Sequence, residues 1–424
     1  MKILMINNFH YRKGGSEAVY FNTAEELASR GHEVHFFSFK RKENIPCHDE
    51  IFFPVFPYTG NIFVRILKNL IYYFYNFEAA KKLDEFLDHQ EIDIAHVHLI
   101  FGGLTPSILL VLKKRGIPVV YTAHDYRLVC PAYTFRDGSG NTCERCRGGA
   151  FYHCFFRRCT KQSMAKSLIM ASEMYFRNIF LSPFRLFSGF IFVSHFSQNK
   201  HMEHAPVLKT KKMLQLYNFN QKAPQSQLPE LQPDDKKDYY LFFGRLSAEK
   251  GVHLLLKVFA EHPELNLKIV GTGPLEEQFR EEIEKKELRN IVMLGYKTGI
   301  ELKQLIANAR FVFVPSECYE NNPMTIIESF QFGIPVISSN IGGIPELMDH
   351  EANGFLFEPG SQDGLSAALK RAQQLSQSEY DLMKTNCRAF YEKNFTAEQS
   401  ISRLISFYQD LITENNPQKN QGVK

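Results

Sequence analysis

The sequence predicts an α/β fold made of two doubly wound domains, each a parallel sheet with helices on both faces. Its 424 residues favour two domains or more. Short apolar strand patterns alternate with helix patterns along the chain, which is typical of parallel sheets covered by helices. The alternation breaks at a segment rich in proline and charge, residues 221–238, which indicates a linker between the two domains.

The first series of elements begins with the strand KILMIN at 2–7. One lysine before a short apolar run is too little for a signal peptide, so this start indicates a strand of a bacterial-type cytosolic chain. A turn with Gly14 and Gly15 leads into a helix over 16–30. The further strands of this series are predicted at 33–39, 94–98, 118–125, 189–195 and 212–218.

The second series follows the linker, and an amphipathic helix over 397–412 comes after it. We expect this last helix to pack back on the first domain. The strands of the second series are predicted at 239–245, 266–273, 290–296, 311–315, 334–339 and 354–359. The predicted boundaries are an N-terminal domain 1–220, a linker 221–238, a C-terminal domain 239–395, a C-terminal helix 396–413 and a flexible tail 414–424.

Composition supports folded domains, since hydrophobic residues make up 44% of the chain. The sequence contains no run of 18 uncharged apolar residues, so no membrane-spanning helix is predicted. The net charge of +4 conceals an asymmetry, because residues 101–215 hold 17 Lys and Arg against 5 Asp and Glu. Such an excess is typical of a face for an anionic partner, and an ordinary solvated basic surface is the alternative.

Five of the eight cysteines lie close together in sequence: Cys130, Cys143, Cys146, Cys154 and Cys159. Cys143 and Cys146 have the two-residue spacing of a zinc knuckle. Cys130 and Cys159 complete a four-thiolate set, with Cys154 or His153 as substitutes. A structural zinc is therefore predicted. Reduced free thiols and a disulfide are the alternatives, the second disfavoured in the cytosol.

Two cations flank the start of a predicted helix in the second domain. Arg245 follows a strand and Lys250 comes five residues later, and Lys250 and Gly251 stand just before the predicted helix. A diphosphate at this point meets two positive charges and free backbone N–H groups. Surface cations near a turn are the alternative.

Two carboxylates follow the strand pattern at 311–315. Glu320 lies in the loop, and Glu328 lies on a helix for which Pro323 is the predicted first residue. Five residues of helix are about 7.5 Å long, so the two acids address different groups. Glu328 suits a ribose diol and Glu320 a sugar. Two exposed acids without a ligand are the alternative.

Turns and a histidine complete the candidate set. Gly271 with Gly273, and Gly342 with Gly343, follow strands and allow close approach of a ligand, although simple tight turns are equally compatible. His124 and Asp125 end a strand of the first domain. His124 faces the predicted cleft, and a histidine that only completes the strand end is the alternative.

Together these features resemble family 4 of the retaining glycosyltransferases, which have the GT-B fold: two Rossmann-like domains facing each other across a cleft. The resemblance rests on Gly14-Gly15 after the first strand, on GR and KG at 244–251, and on Glu320 and Glu328 followed by GIPVI. A subset of the family has a similar Cys-rich segment after the His-Asp pair.

The resemblance implies roles for individual residues. Arg245 and Lys250 bind the donor diphosphate, Glu328 binds the nucleotide ribose and Glu320 contacts the donor sugar, while the Gly14-Gly15 loop approaches the diphosphate. Similar enzymes have a His close to the donor sugar, so His124 is predicted to position that sugar rather than to act as a general base. The predicted catalytic set is His124, Glu320, Arg245 and Lys250. The donor-binding set also includes Gly14, Gly15, Gly271, Asn322, Met324, Thr325 and Glu328.

One departure from the family pattern concerns donor choice. Many members have Glu-Gly-Phe-Gly where this chain has Glu320-Asn321-Asn322-Pro323, so Pro323 removes an N–H that would face the sugar. No acidic pair of the Asp-x-Asp type follows a strand, and catalysis is predicted to need no metal or other cofactor.

Two segments, 61–77 and 163–190, mix aromatic residues with Lys and Arg. They are compatible with a position at a bilayer surface or with helices packed inside the first domain. We expect peripheral contact with the inner face of the cell membrane, and a glycan or lipid-linked glycan acceptor.

The predicted function is a retaining glycosyltransferase that uses a UDP- or GDP-sugar in cell-surface polysaccharide synthesis, with no nucleic-acid partner. One alternative is a nucleotide-sugar epimerase of the same architecture. The other is a non-catalytic, zinc-clipped protein that binds a polyanion. The combination of Arg245, Lys250 and Glu328 argues against the last, since a polyanion binder needs no ribose-binding acid.

Overall fold

The computed structural model describes residues 1–55, 62–221 and 239–415, without the side chains of 62–66. It divides into two compact units. Unit 1 is Met1–Tyr217 with Ala397–Lys424, and unit 2 is Asn218–Thr396. Nearly all of the predicted linker and tail, residues 222–238 and 416–424, lie outside the described residues.

Unit 1 is built on a parallel six-stranded sheet in the order β2-β1-β3-β4-β5-β6. Its strands are short and apolar, and those in the middle are buried on both faces, as parallel strands between helices must be. The strands are β1 (Lys2–Ile6), β2 (Glu33–Phe37), β3 (Ile94–Val97), β4 (Val119–Ala123), β5 (Gly189–Phe192) and β6 (Lys212–Gln215).

Eight helices accompany this sheet in the described part of residues 1–217. They are α1 (Gly15–Ser29), α2 (Ile62–Phe74), α3 (Phe77–His89), α4 (Ser107–Lys114), α5 (Tyr152–Phe156), α6 (Met164–Phe180), α7 (Pro183–Leu186) and α8 (His195–His204). Helix α1 begins at Gly15, one residue earlier than predicted, so that Gly14 alone precedes it.

Unit 2 has a second parallel six-stranded sheet, in the order β12-β11-β10-β7-β8-β9. Its core includes Tyr240, Phe242, Phe311 and Phe313 from the central strands. The strands are β7 (Tyr239–Phe243), β8 (Asn266–Val270), β9 (Ile291–Met293), β10 (Val312–Val314), β11 (Val336–Ser339) and β12 (Gly354–Phe357). The helices are α9 (Val252–Ala260), α10 (Glu276–Lys285), α11 (Gly299–Ala307), α12 (Met324–Gln331), α13 (Gln362–Gln374) and α14 (Gln377–Asn394).

The last helix, α15 (Ala397–Asn415), belongs to unit 1. The hydroxyl of Tyr408 lies 2.6 Å from Nδ1 of His96 on β3. Gly189 at the start of β5 leaves room for this helix, because a Cβ there would come within 2.8 Å of the side chains of Phe407 and Leu411. A helix from the end of the chain thus packs on the sheet that the chain start builds.

All twelve predicted strands occur in the described residues, each shorter than its apolar pattern. The pattern continues past the last ladder hydrogen bond because the first loop residues after a buried strand are themselves buried, as Leu246 and Val193 are. The predicted segment 61–77 lies only partly within the described residues.

Candidate functional site

Four of the predicted site residues come after β7 and β10 in the sequence. These two neighbouring strands are the point at which the strand order of the unit 2 sheet reverses. The chain runs from β7 outward to β8 and β9, and then returns to the other side of β7 with β10. Arg245 and Lys250 follow β7, Glu320 follows β10, and Glu328 lies on α12. Ligands of open α/β sheets bind at the carboxyl ends of the strands at such a reversal point.

A close approach of two backbones aligns the loops after β7 and β10. Gly251 has a φ of +69°, and a Cβ on it would overlap the carbonyl oxygen of Pro315. The N–H of Glu317 donates to the carbonyl of Glu249 at 2.8 Å. Only glycine allows this approach, and the approach brings Lys250 to the loop that carries Glu320.

Lys250 and Glu320 form an ion pair. Nζ of Lys250 lies 2.5 Å from Oε1 of Glu320, and the hydroxyl of Ser316 donates to the same oxygen at 2.6 Å. The other oxygen, Oε2, accepts no hydrogen bond from any described residue. Burial favours a neutral Lys250, but the charges of Glu320 and Cys318 outweigh this and raise the Lys250 pKa. Lys250 is therefore a fixed cation at neutral pH.

Arg245 is exposed and has no ion-pair or hydrogen-bond partner for its side chain within the described part of the chain. The glycine turn after β8 supports its loop. The N–H of Leu246 donates to the carbonyl of Thr272 at 2.9 Å, and a Cβ on Gly271 would overlap the carbonyl of Gly244. Gly271 thus has a structural role that explains its identity. The guanidinium of Arg245 and the ammonium of Lys250 thus place two cations on one loop for an anionic ligand.

The helix that carries Glu328 begins one residue later than predicted. Pro323 is the residue before the first helical position, with a ψ of 120°, and α12 begins at Met324. The side-chain amide of Asn218 donates to the carbonyl of Asn322 at 3.0 Å. This bond anchors the loop directly before Pro323, which has an extended ψ. Thr325 then donates to the carbonyl of Phe243 at 3.4 Å, which ties the helix start to the end of β7.

Glu328 differs from Glu320 in its surroundings. Its carboxyl group has no hydrogen-bond or ion-pair partner among the described residues. Burial raises the pKa of Glu328 to about 7, and the charge of Lys303 offsets this only in part. A half-buried carboxyl group without a hydrogen-bond partner costs stability and is typical of a group that binds a ligand.

The Gly342-Gly343 turn lies against the backbone of Glu320. The N–H of Gly343 donates to the carbonyl of Glu320 at 2.7 Å. Gly342 has a φ of +65°, and a Cβ there would overlap the same residue. The turn therefore positions Glu320, which a simple loop would not do. Ser316 is a further positioning residue of Glu320, and the sequence alone does not single it out.

Gly14, Gly15 and His124 belong to unit 1. His124 directly follows β4, and its Nε2 shares a hydrogen bond of 2.7 Å with Nδ1 of His98. The two rings stack with their centroids 5.0 Å apart, and the ring of His96 lies 4.3 Å from that of His98. Burial lowers the pKa of His124 to about 4 and that of His96 to about 3.

These histidines are therefore neutral at pH 7, and His124 is poorly suited to act as a base. His96 and His98 are absent from the predicted site. Their spacing carries the signal, because residues two apart on a strand share a face, and β3 lies next to β4.

The five clustered cysteines lie in one region of unit 1. Burial and the nearby thiols of Cys130, Cys159 and Cys143 raise the pKa of Cys146. The N–H of Cys143 donates to the carbonyl of Phe135, and the N–H of Gly138 donates to the carbonyl of Arg157, which joins the segments. Among residues 1–55, 62–221 and 239–415, however, no three His, Cys, Asp or Glu side chains are arranged as ligands of one metal ion. The zinc site stays a prediction.

Family models match both halves of the chain. The model described as Glycosyltransferase Family 4 matches residues 13–218, and the model described as Glycosyl transferases group 1 matches residues 225–389. An uncharacterized glycosyltransferase of Haemophilus influenzae is 24% identical over 84% of this chain and 86% of its own length.

Two further relatives match over shorter ranges. The O-antigen chain mannosyltransferase C of Escherichia coli is 29% identical over 41% of this chain and 47% of its own length. The putative colanic acid biosynthesis glycosyltransferase WcaL of Escherichia coli K12 is 29% identical over 40% of this chain and 44% of its own length. Each alignment thus spans less than half of the relative.

Solved structures match over nearly the whole chain. Anabaena Alr3699/HepE in complex with UDP has a TM-score of 0.65 and 18% identity over 97% of this chain and 100% of that one. Sucrose-phosphate synthase of Thermosynechococcus elongatus has a TM-score of 0.70 and 16% identity over 97% of this chain and 99% of that one. The class is thereby defined: the protein has the GT-B fold of glycosyltransferases. With both family models matched in series, the chain belongs to glycosyltransferase family 4.

Proposed function

We propose that this protein is a retaining glycosyltransferase that transfers a sugar from a UDP- or GDP-sugar to a glycan or lipid-linked glycan. The product would be a cell-surface polysaccharide such as a capsule, an exopolysaccharide or an O-antigen. The observation that carries the proposal is the set of Arg245, Lys250, Glu320 and Glu328 at the strand ends where the sheet of unit 2 reverses.

The chemistry of these groups suits a nucleoside diphosphate sugar. Arg245 and Lys250 supply positive charge for the diphosphate, whose negative charge grows as the sugar–phosphate bond breaks. Glu328 accepts hydrogen bonds from the ribose diol, and Glu320 accepts from the donor sugar through Oε2. This division needs no metal ion, because the two side-chain cations and helix N-termini neutralise the leaving phosphate.

The comparisons support the nucleotide and the pathway. The solved structure of HepE contains UDP, and two relatives carry names from O-antigen and colanic acid synthesis. Among the described residues, no helix is long and apolar enough to cross a membrane. We place the protein in the cytoplasm of a bacterium, at the inner face of the cell membrane.

Exposed apolar side chains support this membrane contact. On α6, Leu168 is 51% exposed and Ile179 is 64% exposed, and Lys166 lies on the same helix. Apolar groups beside cations suit an anionic bilayer surface. We expect Ile179→Ser to weaken binding to vesicles of phosphatidylglycerol. Leu382→Ser in unit 2, where the side chain is 61% exposed, is the matched control. Equal loss of binding in both variants would contradict contact through α6.

The experiment that tests the transferase is a donor panel with membrane extract. Purified protein is incubated with UDP- and GDP-sugars, with and without extract, and free nucleotide and sugar products are identified. Transfer to an extract component with retained anomeric configuration is expected. Interconversion of the donor sugar without transfer would identify an epimerase, and binding of polyanions without binding of any donor would favour the non-catalytic alternative.

A further inference from the structure

The loop that carries Glu320 departs from the family pattern in the three residues that follow, and a side chain from a distant segment contacts it. Glu320 is followed by Asn321, Asn322 and Pro323. Asn321 and Asn322 are buried, with 7% and 6% of their surface exposed. Asn218, which stands 104 residues before Asn322, is also 6% exposed. Three buried asparagines therefore lie in or against the loop that is predicted to contact the donor sugar.

The peptide unit between Asn322 and Pro323 has a single hydrogen-bonding group, the carbonyl of Asn322. Proline has no N–H, so this peptide unit cannot be held through a donor of its own. The proline ring also disfavours a helical conformation for the residue before it. The direction of the loop at this point therefore depends on the group that the carbonyl of Asn322 contacts.

The side-chain amide of Asn218 contacts that carbonyl. Its Nδ2 donates to the carbonyl oxygen of Asn322 at 3.0 Å. Because a carbonyl only accepts, the NH₂ end of the amide faces the loop, and this fixes the orientation of the amide. Its Oδ1 is buried and accepts no hydrogen bond from the described residues. A buried acceptor without a donor costs stability, which favours a ligand that brings a hydroxyl group.

The segment that contains Asn218 is fixed on two helices of unit 2. Asn220 donates to the side-chain oxygen of Gln331 on α12 at 2.8 Å, and Gln331 donates back to the carbonyl of the residue after Asn220, also at 2.8 Å. The hydroxyl of Tyr391 on α14 donates to the carbonyl of Asn220 at 3.2 Å. Asn218 thus belongs to a segment attached to the helix that carries Glu328.

Glu320 has anchors that do not involve Asn218. Its carbonyl accepts from the N–H of Gly343 at 2.7 Å, and its Oε1 accepts from the hydroxyl of Ser316 at 2.6 Å. Removing the amide of Asn218 therefore releases the loop at Asn322 and leaves Glu320 held. We expect the change to act at the sugar end of a bound donor and to leave the nucleotide end unaffected.

We propose that Asn218 is a specificity-determining residue for the donor sugar. Its Nδ2 sets the direction of the peptide between Asn322 and Pro323, and its Oδ1 accepts a hydrogen bond from a hydroxyl group of the sugar. The proposal rests on the proposed function and adds a residue to the donor site that reads the sugar. It involves binding alone and no chemical step.

Calorimetry with the full chain tests it. The probes are UDP with UDP-glucose, UDP-galactose and UDP-N-acetylglucosamine, and GDP with GDP-glucose and GDP-mannose. The wild type is expected to bind one sugar about tenfold more tightly than another on the same nucleotide. Asn218→Leu keeps the size of the side chain and removes both polar atoms, so this preference should fall about tenfold. Asn220→Leu, the same change two residues further on, should retain it.

Nucleotide binding separates the two proposals. UDP or GDP binding that is unchanged in Asn218→Leu shows that unit 2 of the variant is folded. If that variant does not fold, the isosteric Asn218→Asp, which cannot donate to the carbonyl of Asn322, takes its place with the same expected loss of preference.

An unchanged sugar preference in the folded variant overturns the proposal, and so does equal weakening of nucleotide and nucleotide sugar. Wild-type protein that binds a nucleotide but does not distinguish the sugars also overturns it, while the proposed function stands. If wild-type protein binds no nucleotide, the proposed function itself fails.

Discussion

Nζ of Lys250 lies 2.5 Å from Oε1 of Glu320, although 70 residues separate them in the sequence. The pair joins a cation predicted to bind phosphate to an acid predicted to contact sugar. In the absence of donor, each neutralises the other. A diphosphate would share the charge of Lys250, and Oε2 of Glu320 remains available to a hydroxyl.

Lys250→Met is expected to weaken UDP or GDP binding by about 10- to 100-fold, since a charge-assisted hydrogen bond is worth about 1.5–3 kcal/mol. Binding of the uncharged nucleoside should change little. Lys297→Met is the control, because Lys297 pairs with Glu301 at the same 2.5 Å and lies outside the candidate site. Calorimetry of nucleotide and nucleoside measures both. An unchanged nucleotide affinity in Lys250→Met would contradict its phosphate-binding role.

The two acids are expected to differ in what they affect. Glu328→Ala should weaken nucleotide binding, since the ribose diol loses its acceptor. Glu320→Ala should mainly lower turnover, because it removes a contact to the sugar. Donor affinity and initial rates of transfer or hydrolysis measure the two effects separately. Equal loss of nucleotide affinity in both variants would exclude this division of roles.

The raised pKa of Glu328, about 7, predicts a pH dependence of nucleotide binding. The ionised carboxylate accepts from both ribose hydroxyls and the protonated form does not, so affinity should rise between pH 6 and pH 8. Glu328→Gln should have a flat profile in this range. So should wild-type protein with the 2′-deoxynucleotide, which lacks one of the two hydroxyls. A wild-type profile that is also flat contradicts the assignment.

The carboxyl group of Glu328 should also make the free energy of unfolding depend on pH, in the opposite direction to nucleotide affinity. Because the folded pKa lies above the ordinary value for Glu, the folded state holds the proton more tightly than the unfolded state. The free energy of unfolding therefore falls as pH rises from about 4.5 to about 7. Glu328→Gln should reduce this fall and be the more stable protein above pH 7, as urea unfolding at several pH values would measure.

Gly251 is expected to tolerate no side chain, both because of its positive φ and because another backbone lies against it. Gly251 and Gly360 have nearly equal φ values, +69° and +73°, but only Gly251 has a backbone oxygen where a Cβ would lie. Gly360→Ala should cost about 1 kcal/mol. Gly251→Ala should cost clearly more and should also weaken nucleotide binding, since Lys250 would move. Equal costs in urea unfolding would contradict the close approach.

The cysteine region leads to a prediction about the metal content of the purified protein. Purified protein is expected to contain about one equivalent of zinc, a single four-ligand site. Cys146→Ser should lose the metal, and Cys387→Ser, at a buried cysteine of unit 2, should retain it. Elemental analysis decides the question. Less than about half an equivalent in the wild type counts against a structural site and leaves reduced thiols or a disulfide.

The sequence predicts the strands well because parallel strands between helices are buried on both faces and consist of apolar residues. It also predicts that Arg245, Lys250 and Glu320 lie in loops after strands and that Glu328 lies on a helix, because these positions follow from that pattern. The ion pair of Lys250 with Glu320 depends on the close approach of Gly251 to Pro315. These two residues are far apart in the sequence, so local sequence pattern does not predict the ion pair.

Other features depend on contacts between distant parts of the chain. His96 bonds to Tyr408, 312 residues away, and local pattern carries no trace of that bond. The sequence predicts Pro323 as the first helical residue because its fixed φ suits that position. In the structure Asn218, distant in sequence, donates to the carbonyl of Asn322, and the helix begins at Met324.

The most direct test of the account is calorimetric binding of UDP, GDP and their sugars to wild-type protein, to Lys250→Met and to Glu328→Ala. The account predicts that at least one nucleoside diphosphate sugar binds the wild type and that both variants bind it at least tenfold more weakly. Wild-type protein that binds none of them, or variants that bind as tightly as the wild type, would contradict the donor site in unit 2.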